Sequence, residues 1–194
     1  MHDSLLEGCY HEMGHVLATL HYFPDDNRIK GISFSKNPNG SFGYDTIYNQ
    51  FKWSFPSQIE GLIMSCIGGG IFQQMKMFYR KNQSIDDGDL LNQIKCPFDG
   101  MEGDLAYLYG MYNMLIMRNM TSTTLSLEDE KRKAIKLLLP FMRCGKIDEL
   151  CEYITNRILA CNGTCDTLIE MKEINKYLMD ESCMYYSIYK NRGL

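Results

Sequence analysis

Apolar residues recur at intervals of three and four from about Ser4 to His21, at Leu5, Leu6, Cys9, Met13, Val16, Leu17 and Leu20. That period predicts a helix, and Pro24 with Asp25, Asp26 and Asn27 ends it. Between Ile29 and Ser35 the period changes to two, which predicts a strand with Ile32 and Phe34 on one face. Asn37-Pro38-Asn39-Gly40 reads as a turn, and Phe42 to Tyr48 as a second short strand. A helix is expected from near Pro56 through Ile59, Leu62, Ile63, Cys66 and Ile67 into Gly68-Gly69-Gly70. Each helical glycine costs about 1 kcal/mol relative to alanine, so either the helix breaks there or another backbone passes close. The polar stretch from Lys81 to Gly100, with Asp86-Asp87-Gly88, reads as a loop.

A third helix is expected from near Asp104 to about Met120. A fourth follows Ser126, an N-cap with Glu128 and Asp129 in the first turn, and Pro140 should kink or end it. Ile147, Leu150, Cys151, Ile154, Ile158 and Leu159 mark a fifth, and Met171 to Leu178 a sixth. The fold class is therefore mainly α (α+β), a helical bundle with one small sheet. Residues 1–194 form one domain, with the chemistry concentrated in 1–125 and C-terminal helices in 126–194.

A hydrophobic fraction of 45% over 194 residues suffices for a core and excludes global disorder. The net charge of −4 gives no electrostatic case for nucleic acid or an anionic membrane as partner. No apolar run approaches the roughly 20 residues of a membrane span. Asp3 and Glu7 near the start argue against a secretory signal. The chain has eight cysteines but no Cys-x-x-Cys pair. Cys9, Cys66, Cys151 and Cys161 fall at helical spacing, as reduced core thiols do, and Cys161 and Cys165 alone would leave a zinc knuckle short of ligands. A cytoplasmic protein is expected.

Candidate chemistry concentrates in His11-Glu12-Met13-Gly14-His15. Residues four apart share a helix face, so both imidazoles can ligate one ion, and two imidazoles with one carboxylate suit zinc and also suit iron. Glu12 then stands where a general base is needed. Such a pentapeptide occurs by chance, but three of the chain's four histidines lie in this one helix. Gly14 suggests close packing on the metal side. A catalytic zinc needs three protein ligands and an open position. No histidine follows His21, so the third ligand must be a cysteine or a carboxylate, with Glu60, Asp86, Asp87, Asp89, Asp99, Glu102 and Asp104 as the carboxylate candidates. Spacing does not choose among them.

These segments together resemble the peptidase domain of the FtsH-type ATP-dependent zinc metalloproteases. That family's helix reads His-Glu-Ala-Gly-His, where this chain has His11-Glu12-Met13-Gly14-His15. Arg28 to Phe34 and Ser41-Phe42-Gly43-Tyr44 stand for its strand and glycine turn. Ile67 to Gln74 stands for its Gly-Gly-Arg-Ala-Ala-Glu helix, and Gly100-Met101-Glu102-Gly103-Asp104-Leu105 for its Gly-x-x-x-Asp-Leu step. Tyr109-Gly110-Met111 echoes a further segment, so the resemblance spans about residues 8–178. It implies that Asp104 is the third zinc ligand beside His11 and His15, that Glu12 is the catalytic base, and that residues 1–125 form the metal-binding part. It also implies a strand bordering the cleft. Ile29 to Ser35 is expected to be a sheet edge that pairs with an extended substrate, with Ile32, Ser33 and Phe34 contacting it.

The family's ATPase module and membrane anchor have no counterpart here, and no Gly-x-x-x-x-Gly-Lys-Ser/Thr loop occurs. Gly70 and Gln73 or Gln74 replace the family's Arg and Glu, which puts ring assembly in question. The expected activity is zinc-dependent endopeptidase action on peptides or unfolded polypeptides, alone or with an ATPase on another polypeptide, and an oligomer is compatible with it. The alternatives are a non-catalytic descendant that binds metal or peptide, and a zinc hydrolase of another amide. Among the remaining residues, His21 lies about 15 Å along the axis from His11 and reads as surface or capping. His2 reads as solvated, Glu102 as a loop acid, and Lys131-Arg132-Lys133 as a solvated face. Phe51, Trp53 and Phe55 read as core, lid or groove, and the tyrosines and methionines after Asp104 as core.

Overall fold

The computed structural model describes residues 1–24, 28–49, 58–81, 87–98, 100–118, 125–161, 164–183 and 185–186. Pro56, Phe51, Trp53, Phe55, Asp86 and Asp99 lie outside them, and the side chain of Asp87 is likewise not described. Helix α1, His2–Tyr22, is buried on every side from Leu5 to Leu20 apart from Glu7. A helix apolar all round belongs in the middle of a domain. Against it pack α2, Ile59–Lys81, and α6, Gly145–Leu159. The others are α3, Asp87–Gln93; α4, Glu102–Met117; α5, Leu127–Met142; and α7, Met171–Leu178. The chain is mainly helical with one small antiparallel sheet, as the periodicities predict.

The sheet has the order β2-β1-β3, with β1 at Ile29–Lys36, β2 at Phe42–Tyr48 and β3 at Cys165–Glu170. This corrects the expected substrate edge. Ile32 of β1 pairs with Thr46 on one side and Ile169 on the other, so β1 is the central strand. Ile32 and Phe34 are buried in the core, and Ser33 pairs with Asp45 and Leu168. With its backbone groups committed on both sides, β1 has none to offer a substrate. Among the described residues β2 pairs only with β1, so the edge near the site is β2.

Strand β3 was absent from the expected elements, because only Ile169 of it is buried and its partner is remote in sequence. It brings residues after 126 into the sheet, and one hydrophobic core draws on both halves of the chain. The expected loop from Lys81 to Gly100 contains α3, which anchors through Leu90, just before the buried Ile94. Lys131 is not solvated: its amine donates to the Leu91 and Ile94 carbonyls at 3.4 and 3.3 Å, the bare acceptors at the end of α3. Pro140 is accommodated inside α5, in its last turn. Helix α4 buries Leu105, Leu108, Tyr112 and Leu115 but exposes Tyr107, Tyr109, Ile116 and Met117, so those four are not core. None of the eight cysteines is in a disulfide.

Candidate metal centre

The glycines of α2 allow a close approach of two backbones. A Cβ on Gly14 would stand 2.3 Å from the Gly68 carbonyl oxygen, and one on Gly69 would stand 2.4 Å from His15 Nε2. The helix does not break at Gly68-Gly69-Gly70; α1 lies against it there. Four-residue rows of the two helices run in opposite directions. His11 meets Gln73, His15 meets Gly69 and Ser65, and Thr19 meets Ser65. Rows at this spacing form the ridges through which helices pack.

The row also orients the imidazoles. His15 Nδ1 donates to the Ser65 carbonyl at 2.6 Å, and His11 Nδ1 to Gln73 Oε1 at 3.0 Å. With each Nδ1 committed, both Nε2 atoms face the same place, as in sites where a second acceptor sets the histidine tautomer. There they meet Asp104, from the first turn of α4, whose Oδ2 lies 3.1 Å from His11 Nε2 and 3.4 Å from His15 Nε2. Ligands about 2.0–2.1 Å from a tetrahedral ion stand about 3.3–3.4 Å from one another. The donor spacing and the two-imidazole, one-carboxylate chemistry therefore fit zinc. Donor atoms of His11, Glu12 and His15 also lie within 4.8 Å of one another, a grouping compatible with a metal site.

The electrostatics have the sign of a cation site. Burial opposes charge on His15, but the Asp104 hydrogen bond and the Glu12 and Asp104 charges hold its pKa at about 9 without an ion. Burial likewise opposes charge on Asp104, yet its bonds to the two histidines hold its carboxyl far below the usual range. Glu12 is buried, and Thr46 on β2 donates through Oγ1 to its Oε2 at 2.5 Å. These groups line a cleft of about 570 Å³, with Tyr44, Asp45 and Tyr48 of β2 on one side and Gly103 and Tyr107 of α4 on another.

His11, Glu12, His15 and Asp104 thus come together, whereas Ile32 and Phe34 do not reach the cleft lining. Of the other carboxylate candidates, Glu60 pairs with Lys133, and exposed Glu102 accepts from the Gly100 amide at 2.9 Å. His21 stacks edge-on against Tyr22, and His2 bonds Glu152 at 3.0 Å instead of being merely solvated. Ser65, Gln73, Thr46, Asp45 and Tyr48 were not foreseen. The first two carried a signal: 65, 69 and 73 repeat at the spacing of His11 and His15. No helix among the described residues is long and apolar enough to cross a membrane. Comparisons with protein-family models, curated proteins and solved structures find no match to this chain.

Proposed function

We propose that this protein is a zinc-dependent endopeptidase acting on unfolded polypeptides or peptides, akin to the FtsH-type peptidase domain. The observation that carries this reading is the convergence of His11 Nε2, His15 Nε2 and Asp104 Oδ2 at tetrahedral-edge spacing, with Glu12 beside them at the wall of an open cleft. His11, His15 and Asp104 would hold the ion. When bound, it supplies Lewis acidity toward a carbonyl and makes water more acidic.

The chain's own residues do the rest. Glu12 takes a proton from the attacking water and returns it to the departing amine. Thr46 fixes one Glu12 oxygen, which leaves the other for the water. The outer edge of β2 offers backbone groups to an extended peptide, which brings the chain past Glu12 in one orientation. A folded substrate must first open, at a cost of up to its full stability of about 5–15 kcal/mol. The natural substrate is accordingly an unfolded segment, presented freely or by an ATPase on another polypeptide.

The test is Glu12→Gln, which keeps the side chain's size and removes the base. Zinc content should stay unchanged while cleavage of unfolded casein falls by about 100-fold or more. Equal rates in variant and parent would remove Glu12 from the mechanism, and no zinc-dependent cleavage by the parent would overturn the reading.

A further inference from the structure

Among the described residues that line the cleft, Asp45 is the one acidic group to which the reaction assigns no task. It sits mid-strand on β2, opposite Ser33 of β1, between two residues that fasten β2 to α1. The Tyr44 ring covers Gly8, and Thr46 bonds Glu12. No hydrogen bond or ion pair engages the Asp45 carboxylate among the described residues, although it feels the charges of His15 and Asp104. The described lining of the cleft includes three carboxylates, Glu12, Asp45 and Asp104, and neither lysine nor arginine. Glu12 and Asp104 together balance a divalent ion. Asp45 then leaves the cleft with an excess negative charge. Asp45 is exposed at the wall of the cleft, and the burial it does have raises its pKa. A cationic side chain from a bound peptide would be drawn to that excess charge, and an acidic one would be repelled.

We propose that Asp45 determines specificity by selecting peptides that carry lysine or arginine close to the scissile bond. This rests on the peptidase reading and adds a substrate class to it. A peptide paired along β2 passes Asp45 directly, so the selecting charge belongs to the same strand that aligns the substrate.

Two unfolded peptides identical except for lysine or glutamate at positions flanking one cleavable bond test this. Cleavage by the zinc-loaded protein and binding to the metal-free protein, by fluorescence anisotropy, are measured for each. The lysine peptide should be favoured about threefold to fivefold in both assays at 0.15 M salt, and less at high salt. Asp45→Asn should remove the preference and Asp45→Lys reverse it, with thermal melts confirming that both variants fold. Cleavage without a charge preference, or a preference that survives in Asp45→Asn, overturns the role of Asp45 and leaves the peptidase reading intact. Selective binding that Asp45→Asn abolishes, with neither peptide cleaved, supports Asp45 as the selective group and overturns the peptidase reading. If neither peptide binds or is cut, both fall.

Discussion

Helix α1 carries two polar clusters on adjoining faces, and they differ in how their charges close. Around Tyr10, the buried Lys76 amine donates to Asp148 at 2.8 Å and to the Cys144 carbonyl at 3.4 Å. The Tyr10 hydroxyl donates to the same Asp148 oxygen and accepts from Arg80, which faces Glu152. Two cations meet two carboxylates, and the donors have acceptors. Around His11 the balance is different. Two carboxylates, Glu12 and Asp104, stand with two imidazoles whose only route to positive charge is to take up protons, and the cluster opens onto a cleft. A charge-closed network joins helices; a converging, cation-deficient one is ready for an ion.

Mutations that act on one cluster alone test this contrast. The largest effect is expected from Asp104→Ala, which removes a donor shared by both histidines. Zinc affinity should fall by more than about 100-fold, beyond what outer-sphere changes cause, while the fold is kept. Full zinc occupancy by elemental analysis in that variant would assign the third ligand elsewhere. Lys76→Met should do the converse. Breaking a buried pair costs about 3–5 kcal/mol, and partial exposure of Asp148 reduces this to about 2 kcal/mol. Tm should fall by about 4–8 °C with zinc stoichiometry unchanged; a variant that loses zinc would show that the two clusters are coupled.

A smaller change comes from Gln73→Ala, which frees His11 Nδ1. Zinc affinity should drop about 10-fold, and an unchanged dissociation constant would make that hydrogen bond incidental. The smallest effect is a pH dependence. In the metal-free protein the pKa of His15 is raised to about 9, above its unfolded value. Its protonation therefore stabilises the metal-free fold fully below about pH 6.5, and that contribution is lost as pH rises through 9. Zinc must expel the same proton. The rise in Tm on adding zinc should accordingly grow from pH 6 to 9 and then level off. A shift that shrinks over that range would contradict the assignment.

The parts legible in the sequence were those that local spacing encodes. The three- and four-residue periods of α1 and α6 announced helices, the Ser126 cap announced the start of α5, and His11 and His15 announced a shared face. The glycines posed the right alternative without deciding it, because what approaches Gly69 is a helix more than fifty residues away in sequence. The place of β1 was misjudged for the same kind of reason. Its alternation shows which face is buried but cannot show a partner, and β3, with one buried residue, announces nothing. Asp104 had no local mark to separate it from six other carboxylates. The resemblance singled it out, and the geometry places it against both histidines. Tyr107 and Tyr109 were misread because α4 is apolar on both faces, so composition alone could not tell its covered side from its open one.

The most direct test of a catalytic metal centre is a zinc-loaded crystal structure refined with anomalous data at the zinc edge. The account predicts one ion held by His11 Nε2, His15 Nε2 and an Asp104 oxygen at about 2.0–2.2 Å, with Glu12 off the metal and the fourth position facing the cleft. An ion closed by four protein ligands, or one held through Glu12 in place of Asp104, would contradict it.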